Sequence, residues 1–596
     1  MAIDPGQHWV LEGRVVTMHD AGVITDGAVY INGGLIEAVQ RRAASPPAAF
    51  VGAPRVRSGG TIYPGLIELH NHLSYNAMPL WDVPTRYRNN SQWRTSDGPY
   101  ARLITKPTQV LGATPGVAAA LIRFVEVRCL LGGVTTSQGI TLAGNGGLRR
   151  FYRGLVRNVE APLRDDLPAA DTRIDNPPKG AAAAYLTRLE GMTCLLQHLS
   201  EGRRDDETAR EWFLRLRIAE DWWAIAPALC GIHCAALQPE DFALLAQGGA
   251  SMVWSPLSNY LLYGQSVDPR QIRDAGLTER CAVGSDWAPS GSKNLLGELK
   301  VAWLASEEAG GVFSPQQLVA MATCNPAQIC GWGDRLGVVA AGTLADLLVL
   351  DDRQDDPFEQ LLRARESSVS LVVVDGVPRV GTTSTMRRFA GAEEAIRVGT
   401  ARRLLHLGGD PDADPEIAAL AFTDATATLQ DAMARLPELA AQLDAAGVQG
   451  LLSGLVTGAT AADAVTPARR RRSVPAPEWR VQPDFEPEDA QLDPALAFGA
   501  GGFAELVQPM RLEPPTVVDD RAYLAALVRA RNLPEFVKLG LPPLYGRTIP
   551  LPPSAEFLTG DPTVAPVVRE TTRELADVTR AAGELSPADR LVILDE

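Results

Sequence analysis

Between residues 63 and 334 short apolar runs alternate with longer stretches of helical periodicity, and this rhythm limits the chain to βα units around a parallel sheet. Strands are expected at Leu66–Leu73, Gly133–Gln138, Leu155–Glu160, Thr193–Leu199, Ala228–His233, Ser251–Trp254 and Cys281–Asp286. Helices are expected at Val117–Cys129, Glu207–Trp222, Pro239–Ala246 and Pro315–Met321. On either side the pattern changes. Residues 9–62 and the stretch after Gly337 carry short apolar runs broken by turns, such as Gly27–Ile31 and Val369–Val374 before Asp375-Gly376, and read as β-hairpins. The barrel-like part is therefore inserted between two β segments that can pair into one β domain.

This gives a working division: residues 1–62 with 335–385 as a composite β-sandwich, 63–334 as the central α/β unit, 386–464 as a helical extension, 465–492 as a linker, and 493–596 as a C-terminal accessory segment. Arg469-Arg470-Arg471-Arg472 opens a Pro- and acid-rich stretch, which reads as a solvated linker.

The formal charge of −15 argues against nucleic-acid and anionic-membrane partners. The first residues lack a basic start followed by an apolar run, and no apolar stretch reaches the roughly 18 residues of a membrane span. The seven cysteines are odd in number, irregularly spaced and without a Cys-x-x-Cys pair. Free thiols in a reducing cytoplasm are expected.

The chain has only seven histidines, and His70, His72, His198 and His233 fall at or near the C-terminal ends of expected strands. That is where a βα barrel places its chemistry. His70 and His72 are two apart on one strand, so both imidazoles face one way and can share a cation. His198 supplies a third imidazole, and Glu201 follows where a carboxylate can take and return protons. His233 suits either a ligand or a donor to a bound water. Asp286, closing Ala282-Val283-Gly284-Ser285, can bind metal and accept a proton. Three histidines and one aspartate with a position left for water make a catalytic rather than a closed site. Imidazole and carboxylate suit zinc first and iron second.

In this order the motifs resemble the amidohydrolase superfamily, and within it the aminohydrolases acting on triazines, guanine and cytosine. The resemblance is carried by Pro64–His72, His198-Leu199-Ser200-Glu201, His233, Ser255-Pro256-Leu257-Ser258-Asn259, Gly284-Ser285-Asp286, Met321–Ala327 and Gly342–Leu350, and covers about residues 9–380. It implies a distorted (β/α)8 TIM barrel with a flanking composite β-sandwich, followed here by a mostly helical C-terminal extension. It implies one divalent metal on His70, His72, His198 and Asp286, with Glu201 as proton shuttle and His233 orienting water or polarising substrate. The expected reaction is hydrolysis of a non-peptide carbon–nitrogen bond in a nitrogen heterocycle or cyclic amide, by deamination or ring opening. The C-terminal region lacks a candidate site and is expected to be an accessory or oligomerisation domain, which is compatible with a homo-oligomer.

Binuclear relatives usually carry a carbamylated lysine on the fourth strand. Here Lys179, between Pro178 and Gly180, belongs to a loop, which favours one metal. Glu160 is a weaker candidate for an extra ligand and equally one for a substrate contact. Trp81, Tyr87, Arg88, Asn89 and Trp93 are candidates for a lid or a pocket wall, or for packing alone, and Trp287 stands where many relatives have a small residue. A reading of a different class is a noncatalytic barrel scaffold or binding protein whose C-terminal region serves as an interaction domain.

Overall fold

The computed structural model describes residues 2–95, 98–139, 151–152, 155–351, 354–391, 394–409, 413–446 and 503–550. The expected linker 465–492, its arginine run, and the accessory segment beyond residue 550 lie outside the described residues.

Two all-parallel ladders build the central unit. One runs Leu66–Glu68, Val134–Ser137, Arg157–Asn158; the other runs Asp171–Arg173, Leu195–Leu199, Leu229–His233, Ser251–Trp254, Cys281–Val283. Three and five strands make the eight of a (β/α)8 barrel, and the seams between the ladders are where it is distorted. One seam is closed by the Ala170 N–H donating to Val159 O at 2.8 Å. At the other, the Asp286 N–H donates to His70 O at 2.9 Å and the His72 N–H to Asp286 O at 2.8 Å. Those two bonds fix the first strand end against the last.

Several expected elements are shorter in the structure. The first strand stops at Glu68, so His70 and His72 lie just past the ladder, and the last stops at Val283, before Asp286. Mouth residues turn toward the site, leaving the ladder where their side chains are needed. Glu207–Leu214 ends well short of Trp222, because Arg217–Ala219 and Trp222–Trp223 form an antiparallel hairpin. Asp171–Arg173, the fourth strand, was not expected, since its charged three-residue run gives no apolar signal.

Caps hold the outer helices in place. The Asp206 carboxylate accepts from the Ala209 N–H, the Asn294 side chain from the Gly297 N–H, and Ser314 with Gln317 makes a capping box. Among the described residues no single helix is long and apolar enough to cross a membrane.

The flanking β segments meet in one nine-stranded sheet, joined where Leu347–Leu350 pairs antiparallel with Arg55–Pro64. One face buries Trp9, Leu11, Val349 and Val373, with Trp9 edge-on to Phe389 at 5.0 Å. Tyr63, Leu348 and Val372 on the other face join the barrel core. Beyond residue 386, where helices were expected, a hairpin of Glu394–Val398 and Ala401–Leu405 extends this sheet before helices begin at Pro415. Gly399, at φ 61°, turns that hairpin in a conformation a side chain would strain. The two longer helices that follow, Phe422–Ala434 and Leu436–Ala446, lie against the barrel, with Phe422 stacked on Phe124 of Val117–Leu131.

Residues 503–549 do not form a detached accessory segment. Arg521–Arg529 and Glu535–Leu544 bury Tyr523, Leu524, Val537 and Leu541 in the same core as the barrel helices.

Candidate functional site

Strand parity delivers the third imidazole. In Leu195–Leu199, Leu196 points into the barrel interior and Leu195 and Leu199 toward the helices, so His198 points inward. In Leu229–His233 parity works the other way. Cys230 and Ile232 face inward and Leu229 outward, so a regular continuation would send His233 out. The backbone corrects this with φ 66° at His233 and 53° at Cys234, both left-handed and both costly for side-chain-bearing residues. Ser200 (φ 51°) and Asp286 (φ 64°) are strained in the same way at their own strand ends.

All six residues singled out in the sequence come together. His70 Nε2 lies 3.2 Å and His72 Nε2 3.1 Å from one oxygen, Asp286 Oδ1. Donor atoms of His70, His198 and His233 all lie within 4.8 Å of one another, and those of His70, His72 and Asp286 form a second such set. His233 Nε2 sits 3.8 Å from Glu201 Oε1 and 4.0 Å from Asp286 Oδ2, bridging the two carboxylates.

Outer partners aim these groups. His198 Nδ1 bonds to Arg173 O at 3.1 Å. A carbonyl only accepts, so Nδ1 carries the proton and Nε2 presents its lone pair to the centre. His233 Nδ1 is held by Asn259 Oδ1 at 2.9 Å, and His70 Nδ1 by Ser255 Oγ at 2.7 Å. The Ser258 hydroxyl donates to Asp286 Oδ2 at 2.6 Å. Burial, with the other imidazoles adding to it, pushes His70 and His198 well below the ordinary histidine range, so both are neutral at pH 7. Burial works against the Asp286 carboxylate, but the hydrogen bond and charge of His72 bring it below its ordinary value on balance.

This donor set fits a divalent cation. His70 Nε2 is buried without a hydrogen-bond partner, which a ligand to metal would not need. Its distance and that of His72 to Asp286 Oδ1 match the separation of atoms sharing one zinc at about 2.0–2.1 Å each. Lys179 is exposed on a loop, and Glu160 belongs to neither donor set, its Oε1 instead accepting from the Gly139 N–H at 2.9 Å.

Glu201 accepts from Asn90 Nδ2 at 3.0 Å and from the Tyr263 hydroxyl at 2.6 Å. Burial and the nearby carboxylate hold Tyr263 well above the ordinary phenol range, so it remains a donor. Tyr263 in turn accepts from the Trp93 indole at 2.9 Å. Neither Asn90 nor Tyr263 carries a motif, and only their buried pairing identifies them.

Glu68 was also missed as a site residue. It is fully buried and accepts from the Ser285 backbone and hydroxyl and from Asn71, tying the first strand to the end of the last behind the imidazole cluster. Burial pushes its carboxyl up to about 7. A charged residue between Ile67 and Leu69 in an apolar strand was the available signal.

Of the expected wall residues, Trp93 lines the pocket, while Arg88 and Asn89 latch the loop to Asp206 at 3.0 Å each. Trp81 and Tyr87 pack on each other beside it, with ring centroids 6.0 Å apart. Trp287 lies 5.5 Å from His72 and 5.7 Å from Tyr100, and with Trp93 these rings line the narrow pocket above the histidines.

Residues 217–379 match the amidohydrolase family model. The 5-methylthioadenosine/S-adenosylhomocysteine deaminase of Syntrophobacter fumaroxidans is 30% identical over 197 residues, which is 30% of this chain and 44% of that enzyme. The chain thus spans less than half of that relative. The enzyme of the same name from Symbiobacterium thermophilum is 25% identical over 412 residues, 62% of this chain and 92% of the relative. Among solved structures, a zinc-bound adenosine deaminase from Xanthomonas campestris aligns with a TM-score of 0.47 at 17% identity, covering 63% of this chain and 93% of that one. Over these stretches the chain is similar to the amidohydrolase family and to deaminases that resemble it.

Proposed function

We propose that this chain hydrolyses a non-peptide carbon–nitrogen bond in a small nitrogen heterocycle or cyclic amide, using one divalent metal held by His70, His72, His198 and Asp286, with zinc the first candidate and iron the second. The observation that carries this is the convergence of His70 and His72 on Asp286 Oδ1, with Glu201 and His233 facing them. A bound ion of this kind acts as a Lewis acid and brings the pKa of water to about 7. Glu201, fixed by two donors, has lone pairs left to take a proton from the attacking water and return it to the departing nitrogen. His233, its Nδ1 occupied by Asn259, turns Nε2 toward the water position or the substrate atom where negative charge grows. Asp286 shares proton handling through Oδ2, which Ser258 orients. The faces of Trp93, Tyr100 and Trp287 suit a flat ring. Seven unpaired cysteines, six of them buried, support a reducing cytoplasmic location.

The test combines metal analysis of the purified protein with a panel of guanine, cytosine, an amino-triazine, 5-methylthioadenosine and a cyclic amide. Near-stoichiometric metal and turnover of a panel member are expected. Ammonia without ring opening selects deamination, and ring opening without ammonia selects cyclic-amide hydrolysis. Metal well below one equivalent that added zinc, iron or manganese does not restore would instead favour the noncatalytic scaffold.

A further inference from the structure

We infer that residues 503–549 buttress the two elements that wall the candidate active site, and that Asn532 is the positioning residue that clamps them together. Asn532 is buried, at 7% exposure, and its Nδ2 donates to Thr85 O and to Leu261 O, both at 2.8 Å. A side-chain amide nitrogen has two hydrogens, and both are committed. The two carbonyls belong to the two elements that carry the donors around the reacting centre. Thr85 lies on the loop that brings in Asn90 and Trp93. Leu261 lies in Pro256–Tyr263, which brings in Ser258, Asn259 and Tyr263.

The end of that helix explains why the clamp sits there. Carbonyls of a last helical turn lack intrahelical partners. Here Asn532 satisfies Leu261 O, and the Tyr87 N–H of the loop satisfies Leu262 O at 3.0 Å. The loop and the helix are thus stitched together by one direct bond and one bridging amide.

A second tie holds the segment down. The buried Lys293 ammonium bonds Asp520 Oδ2 at 2.6 Å and Glu513 Oε2 at 2.9 Å, while Glu513 Oε1 accepts from the Leu80 N–H at 3.4 Å at the start of the same loop. Phe536 packs edge-on to Tyr260 of the helix, with ring centroids 5.7 Å apart. Glu201 takes Asn90 from the loop and Tyr263 from the helix, so separation of the two elements removes both of its donors together.

The clamp stands on its own geometry, and its catalytic consequence rests on the hydrolase reading above. Asn532→Asp keeps the volume and removes both donors; Asn532→Ser keeps one donor and is the variant to read if the aspartate does not fold. Hydrogen–deuterium exchange is measured by mass spectrometry on the zinc-loaded full chain, together with zinc content and steady-state kinetics on the best substrate of the panel. Exchange accelerates in peptides covering 79–95 and 256–263, more in the Asp than in the Ser variant. Zinc content stays at the wild-type value, and kcat falls about 10- to 100-fold with KM nearly unchanged, as expected when reacting groups shift by about 1 Å. Wild-type exchange in both peptides overturns the clamp. Accelerated exchange with wild-type kcat overturns the positioning role alone. If the wild-type protein turns over nothing, the hydrolase reading fails, and the exchange data still decide the clamp.

Discussion

Glu298 offers a quantitative test of how the site is supported. It is fully buried in the first turn of Leu295–Glu308. Its Oε1 accepts from the Leu257 N–H at 2.8 Å, at the start of the helix that carries Ser258, Asn259 and Tyr263, and its Oε2 accepts from the Ser292 hydroxyl. Burial outweighs these bonds and pushes the carboxyl up to about 8, against 4.5 for an ordinary glutamate. The folded pKa is the higher one, so the folded chain holds this proton when the unfolded chain has lost it. The group's stabilisation is complete below pH 4.5 and is lost as pH rises through about 8. At 1.36 kcal/mol per unit, the loss is about 2–3 kcal/mol between pH 5 and 7 and about 5 kcal/mol once pH exceeds 8. Glu298→Gln keeps the shape. Its amide oxygen accepts from Leu257 and its NH₂ donates to Ser292, but it does not titrate. Unfolding midpoints of both proteins from pH 5 to 9 give the measurement. The variant is expected to match or fall slightly below wild type at pH 5 and to gain steadily above it toward pH 9. A gap between the two that stays constant across this range would refute the buried, protonated carboxyl.

Three further outcomes are expected. Glu201→Gln retains metal and loses about 10²–10⁴-fold in turnover, because proton transfer is removed while the ligands stay; wild-type rates with normal metal content would end its assignment as proton shuttle. Tyr263→Phe deletes one donor to Glu201 and the acceptor of Trp93, costing about 1–3 kcal/mol in unfolding free energy and lowering kcat at unchanged metal content; an unaltered kcat would show that Glu201 needs no second donor. Ser258→Ala frees Asp286 Oδ2 and weakens zinc binding about 10–100-fold in competition with a chromogenic chelator; unchanged affinity would remove Ser258 from the metal support.

The parts of this molecule that follow from periodicity were readable in the sequence. Alternation in Leu195–Leu199 and the apolar runs before His233 and Asp286 located strand ends, and strand ends located His198, His233 and Asp286. What escaped depends on tertiary contact. Asp171–Arg173 is a strand only because neighbours supply its hydrogen bonds, and nothing in three charged and polar residues announces that. The hairpin at Arg217–Trp223 broke an expected helix because two adjacent tryptophans in an amphipathic run fit either period. Asn90, Tyr263 and Asn532 are ordinary residue types, and each matters through one buried partner far away in sequence. His233 sits on the wrong parity for an inward residue, and only the left-handed turn at its own backbone returns it to the site.

The amide bridge from Asn532 has a consequence in time as well as space. His70 is synthesised early and Asn532 late, and at roughly 5–20 residues per second about 25 to 90 s separate them on the ribosome. From the synthesis of Asp286 onward, the last half of that interval, all four proposed metal ligands exist in the nascent chain, while the carbonyls of Thr85 and Leu261 still lack their donor. On the hydrolase reading the centre is therefore armed last, after the barrel has left the exit tunnel. On the same reading, a premature stop between residues 286 and 532 would act as an active-site lesion while leaving all four proposed metal ligands encoded.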